Sequence, residues 1–291
     1  MEISEIWRFP VKSMLGERAQ SALVTPSGLA GDRAYAVIDR SDGKVASAKN
    51  PRKWRALLSC QAELFEDPVA DGKPPPVRIT LPDGSVTTSE DHDVHDILSR
   101  FVGREVTLAD TAPQGSTFEE TWPDIEGMAP GEFIDSTRVR SDEGEAVSDL
   151  ALGLAAAPGS FFDLAPMHVV TSSSLAELAR LQPGSQFVPQ RFRPNFVIDT
   201  PAGGFLENGW VGATLRFGQE ASLSVMMPTM RCVMTTLAQG DLPDDRAVLR
   251  AATDHNRVEI NGLGHWACVG AYASVVTAGA VRVGDEVTVS Q

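Results

Sequence analysis

Turn punctuation limits this chain more than any other feature. Arg33 to Arg40 (Arg-Ala-Tyr-Ala-Val-Ile-Asp-Arg) has strand composition, and Ser41-Asp42-Gly43-Lys44 follows it at once. Asp-Gly tolerates the positive φ that a tight hairpin turn demands. The pattern recurs as Val77 to Leu81, then Pro82-Asp83-Gly84, then Ser85 to Thr88. Leu57 to Phe65 alternates like a half-buried strand, and Arg104 to Ala109 has strand character. Helical spacing is confined to short stretches. These are Val94 to Val102 (Val94, Ile97, Leu98, Phe101), Ser172 to Leu181 behind a serine N-cap, and Leu242 to Ala252 with Asp244-Asp245 near its start. Further strands are expected at Asn195 to Asp199, Thr214 to Phe217, Ala221 to Met227 and Cys268 to Val276. A Gly284-Asp285 turn lies between the Val-rich arms of Val281 to Val289. Thr111 to Gly144 is dense in Pro, Gly and acids, and is expected to be a connector with little regular structure, packed through Phe118, Trp122 and Phe133. The expectation is a mainly β (α+β) chain: a β-barrel-like unit over residues 1–110, a connector over 111–144 and a second β-barrel-like unit over 145–291.

Charge narrows the function. The formal net charge of −14 repels nucleic acid and anionic membrane, which need a basic footprint. Three scattered cysteines do not make a disulfide framework. Neither a signal-like start nor a membrane-length apolar run is present, so a soluble, cytoplasmic protein is expected. Gly-x-Gly-x-x-Gly, the P-loop, Gly-x-Ser-x-Gly and His-Glu-x-x-His are all absent from the sequence. His92 and His95 fall on an acidic helix face expected to be solvated. His168 reads as a core or strand residue, and Glu119-Glu120 and Asp244-Asp245 as surface charge.

Two features carry chemistry. Cys232 sits in Met-Met-Pro-Thr-Met-Arg-Cys-Val-Met-Thr-Thr, directly after Arg231. A neighbouring cation favours thiolate, the form that acts as nucleophile or soft metal ligand. The opposing reading is a small buried core residue. Second, cations interrupt apolar, strand-like sequence at Lys12, Arg33, Arg191 and Arg193. Burying them requires partners, either carboxylates such as Asp32, Asp39 or Asp199, or a bound anion. The residues alone leave both open.

Phe9-Pro10-Val11-Lys12-Ser13 with Gly28-Leu29-Ala30-Gly31-Asp32-Arg33 resembles the N-terminal β-barrel that accompanies MOSC domains. Arg191-Phe192-Arg193-Pro194-Asn195, Met-Arg-Cys-Val-Met-Thr-Thr and Val283-Gly284-Asp285-Glu286-Val287 resemble the MOSC domain itself. The organisation is similar to that of the mitochondrial amidoxime-reducing component and its bacterial counterparts. The resemblance implies a molybdenum cofactor (molybdopterin) held between the two units. It makes Cys232 the thiolate ligand to the metal and catalytic centre. Lys12, Ser13, Arg33, Arg193 and Asn195 would hold pterin and phosphate, with Asp163 and the backbone near Met230 close by. Met230 stands where relatives often carry a small polar residue, which removes a side-chain hydrogen bond. The implied activity is reduction of N-hydroxylated substrates (amidoximes, hydroxylamines, N-hydroxylated bases). No Cys-x4-Cys-x2-Cys cluster motif is present, so electrons would come from a separate donor of ferredoxin or flavin-reductase type. Persulfide transfer through Cys232 and a cofactor carrier without turnover are the rival functions. Trp210, Trp266, Phe205 and Phe161 fit core packing better than a substrate mouth.

Overall fold

The computed structural model describes residues 1–69, 72–201 and 203–291. It is mainly β, with twenty strands against six short α-helices. The largest sheet has nine strands and is mixed. Its order runs Glu17–Ala19, Glu2–Arg8, Phe196–Asp199, Met167–Thr171, Gly264–Thr277, Ala221–Met230, Thr214–Phe217, Val287–Ser290, with Arg257–Ile260 paired to Gly264–Thr277 off that path. Phe196–Asp199 runs parallel to Met167–Thr171 and antiparallel to Glu2–Arg8, with Ile3 opposite Ile198. Strands from both ends of the sequence therefore share one sheet. Gly279–Arg282 likewise pairs with Ser21–Thr25.

Buried positions explain the order. Met167–Thr171 is buried at every position, as a strand covered on both faces must be. One core lies on the sheet face carrying Ile3, Ile6, Phe196, Leu215, Phe217 and Leu223. A second joins the other face to the helices Ser172–Leu181 and Ala247–His255 through Leu175, Leu178, Val248 and Leu249. A third belongs to the first hundred residues and is built on Val11, Met14, Leu57, Val77, Ile79 and Leu98.

Local signals held where partners are adjacent in sequence. Val94–Val102 is a helix stopped by Gly103 in the left-handed conformation. Val77–Thr80 and Val86–Thr88 form the expected hairpin. After Ala36–Asp39, the Asp42-Gly43 turn brings Val45 back to a single bridge with Ile38, while the strand itself pairs with Val106–Ala109. The N-cap of Ser172–Leu181 is Thr171, whose Oγ1 accepts from Ser174 N at 3.1 Å.

Several expectations are corrected. Among the described residues no sheet closes into a barrel: the nine-stranded sheet is open between Glu17–Ala19 and Val287–Ser290, and the remaining sheets have two or three strands. The supposed connector is structured, with Thr117–Trp122 and Arg138–Asp142 flanking Glu145–Ala151 in a three-stranded sheet beside the helix Gly131–Thr137. Its Pro and Gly residues mark turns between these elements. Leu57 to Phe65 divides into a 3-10 turn, Arg55–Ser59, and the strand Gln61–Leu64. The Val-rich arms around Gly284-Asp285 do not pair with each other, because each finds a distant strand.

Candidate active site

All eight residues singled out for a site, Lys12, Ser13, Arg33, Asp163, Arg193, Asn195, Met230 and Cys232, line one cleft. Lys49, His168, Thr229, Arg191, Arg231 and Tyr272 complete its charged and polar lining. Local backbone geometry is part of the construction. Among the described residues four non-glycines have positive φ, and three of them are Ser13 (65°), Arg33 (47°) and Arg193 (55°). Such conformations persist only where surroundings over-determine them, and they cluster at binding sites. Here the fixing bonds are identifiable. Arg33 N donates to Phe9 O at 2.8 Å, Arg193 N donates to Pro189 O at 2.8 Å, and the Ser13 hydroxyl accepts from Ala48 N at 3.0 Å.

The charged lining falls into two groups. In the first, Lys12 Nζ bonds Asp163 and the Phe161 carbonyl, while Lys49 Nζ bridges Glu120 at 3.0 Å and Asp163 at 3.3 Å. Both ammonium groups lie over the Phe118 ring, at 5.2 and 5.0 Å. Burial by itself would raise Asp163, but Lys12 and Lys49 outweigh it and hold the carboxyl far below its ordinary range. Glu119 and Glu120 are buried, not surface charge, because lysine and arginine side chains meet them on both faces of their strand.

In the second group, Arg33 pairs with Asp32 and donates to Arg193 O at 3.2 Å. Arg33 and Arg193 both stack on Phe9, at 4.7 and 4.1 Å. Asn195 is committed to the scaffold: Nδ2 donates to Asp32 at 2.8 Å and Oδ1 accepts from His168 N at 2.9 Å. It orients Asp32, and through it Arg33, while these bonds use one of its two N–H donors. Arg191 is likewise structural, donating to the carbonyls of Gln186, Thr235, Leu237 and Pro243. It clamps the segment that follows Cys232.

Cys232 is only 7% exposed. Burial pushes its thiol up, while Lys49 and, less strongly, Arg231 favour the thiolate. The cation beside the thiol acts in the expected direction and is outweighed. Among the described residues no group of three His, Cys, Asp or Glu side chains could cage a metal, so a metal here would need ligands from outside the protein.

What remains unbalanced is positive. Among the described residues, Lys12, Arg33, Lys49, Arg193 and Arg231 have between them only Asp32, Glu120 and Asp163 as ion-pair partners. Of eight buried side-chain polar atoms without a partner among the described residues, three line the cleft: Arg193 Nη2, Arg231 Nε and Thr229 Oγ1. Surplus cations with idle donors beside a thiol suit an anionic, polyoxygenated group that brings its own metal. A pterin dithiolene with a terminal phosphate has that chemistry, so these residues fit the molybdenum cofactor.

Residues 1–105 match the MOSC N-terminal beta barrel domain, and residues 158–288 match the MOSC domain. This is a MOSC-domain protein. The chain is 23% identical over 295 residues to mouse mitochondrial amidoxime-reducing component 1, covering 98% of this chain and 81% of that protein. It is 24% identical over 294 residues to bovine mitochondrial amidoxime reducing component 2, covering 98% and 82%. The solved YUAD protein of Bacillus subtilis aligns with 99% of this chain and 94% of its own at 11% identity and a TM-score of 0.45. Among the described residues, no helix is long and apolar enough to cross a membrane.

Lys49, with its partner Glu120, and the lining residues His168 and Tyr272 were not foreseen as parts of the MOSC cleft. Lys49 lies in an irregular segment without an apolar strand around it, so its burial has no local signature. Phe161 lends its carbonyl to Lys12, whereas Trp210 and Trp266 are core residues, as expected.

Proposed function

We propose that the protein is a molybdenum-cofactor-dependent reductase of N-hydroxylated compounds such as amidoximes and hydroxylamines. It would draw electrons from a separate ferredoxin-type or flavin-reductase-type donor, in a reducing, cytoplasmic setting. The observation that carries this reading is the convergence of a buried thiol, surplus cations and idle donors in one MOSC-domain cleft. The names of the mouse and bovine relatives supply the reaction class.

When bound, the cofactor supplies a two-electron metal couple that can exchange an oxygen atom. This chain's residues hold and tune it. Cys232 would give the sulfur ligand, as a thiolate whose formation burial disfavours. Arg33 and Arg193 suit the phosphate, since both are fixed by backbone contacts and stacking before any ligand arrives. Lys12, Ser13 and Arg231 would hold the pterin end, with Lys12 kept in place by Asp163. Met230 offers no polar contact. A persulfide-carrying role needs an accessible, readily ionised thiol, and Cys232 is neither.

The test is the molybdenum and pterin content of wild type and Cys232→Ser from a cofactor-competent host. Near-stoichiometric metal in wild type is expected, with loss or altered coordination in the variant. Amidoxime reduction with a chemical electron donor then separates a reductase from a carrier. Absence of molybdenum from the wild type removes both.

A further inference from the structure

We infer that His168 is the positioning residue that aims Arg193 and Arg231 into the cleft. This rests on the reading of the cleft as an anion site and adds what organises it. His168 lies in Met167–Thr171 and is 6% exposed. Nδ1 is 3.3 Å from Arg193 O, and Nε2 is 3.4 Å from Arg231 Nη1. A carbonyl only accepts and a guanidinium only donates, so both contacts are satisfied by one tautomer, neutral with the proton on Nδ1. An imidazolium would turn an N–H against Arg231 and lose that contact.

The surroundings are shaped to this ring. Gly270, at φ +83°, lies so close that a Cβ there would meet His168 Nε2 at 2.3 Å and Val169 O at 2.5 Å. Gly270 N leaves the strand ladder and donates to Glu207 Oε1 at 3.1 Å. Glu207 is fully buried, and its other oxygen accepts from Thr171 and Ser174 hydroxyls, each at 2.6 Å. A buried carboxyl thus pins the backbone where the imidazole needs room.

The consequence reaches both arginines. Among the described residues Arg231 has no carboxylate partner. Its guanidinium is oriented by Val269 O at 3.2 Å, Phe192 O at 3.1 Å and His168 Nε2, and these leave Nε as the idle donor. Arg193 is held in its left-handed turn by a carbonyl that accepts from both His168 and Arg33. One neutral ring therefore ties together the two cations whose donors remain open, and brings no third positive charge between them.

The test uses the full chain from a host without molybdenum cofactor, with inorganic phosphate as the probe, titrated calorimetrically alongside thermal melting. His168→Leu is expected to bind phosphate about tenfold more weakly, the scale of one lost charge-assisted hydrogen bond. His168→Gln keeps an acceptor within reach of Arg231 and is expected to recover most of that loss. His168→Asn keeps only the donor to Arg193 O and is expected to recover less. A purely structural histidine would shift the melting temperature without this ordering of affinities. Wild-type phosphate affinity in every variant that folds overturns the inference while leaving the cofactor reading intact. No phosphate binding by the wild type, with no molybdenum after expression in a competent host, overturns the anion-site reading and the inference with it.

Discussion

Two neighbouring glutamates, Glu119 and Glu120, separate the molecule's two buried charge systems. Glu119 anchors the first, meeting Lys53 at 2.9 Å, Lys44 at 3.3 Å, both Arg140 nitrogens and the Asn50 amide at 2.8 Å. Lys44, Arg140 and Lys53 have second partners in Asp149, Asp142 and Asp42, so three cations meet four carboxylates. The atoms left idle there are acceptors, Asn50 Oδ1 and Asp149 Oδ1. Glu120 faces the other way into the cleft, where five cations meet three carboxylates and the idle nitrogens belong to arginines. A network without surplus cations holds the fold together. An unbalanced one, maintained at a cost in desolvation, marks the place where a counter-charge is to arrive.

The contrast can be broken from either side. Glu119→Ala should cost about 3–5 kcal/mol, because it strands buried cations. Urea denaturation measures this, and molybdenum content of the surviving folded protein should be unchanged. A small cost would mean that the network is not the scaffold it resembles. Arg193→Met should do the reverse. It removes a guanidinium whose pKa burial and then Arg33 depress, so stability of the cofactor-free chain should stay within about 1 kcal/mol or rise. Molybdenum content should fall sharply.

Acidification probes the cleft alone. Burial, then Arg231, holds His168 neutral well below its ordinary 6.5. Below pH 6.5 the unfolded chain takes up a proton that the folded chain refuses, so stability falls with falling pH. The slope is at most ~1.4 kcal/mol per pH unit from this group. Denaturation midpoints between pH 7 and 5 should show it, and His168→Gln should flatten it. The smallest effect belongs to the exposed pair Arg55–Asp244, at 2.7 Å. Arg55→Ala should cost about 0–1 kcal/mol and vanish in high salt, setting the scale for charges that water already serves.

The sequence disclosed elements whose partners are local. Val94–Val102 carried its own spacing and its own stop at Gly103, and the hairpin at Asp83-Gly84 carried its turn. Thr117–Trp122 was illegible because both faces are buried and two of its six residues are glutamates, which erases alternation. The arms flanking Gly284-Asp285 read only as Val-rich segments about a turn, because nothing in their composition names a distant partner. In the cleft, cations within apolar strands drew attention to Lys12, Arg33 and Arg193, which do line it, because isolated charge in such sequence demands an explanation. Asn195 drew notice as a pterin contact, while its bond to Asp32 has no signature in the sequence. Lys49 offered no such contrast with its surroundings.

Ile3 finds its partner in Ile198, and Val281 finds Ala22. Pairings that cross nearly the whole sequence must close enormous loops before they give anything back. The early strands are thus left with open edges until distant segments are available, which makes folding slow and leaves half-finished chains open to aggregation. A protein sewn together in this way cannot release one half without unpicking the other, so the cleft walls should keep their spacing until the whole molecule gives way.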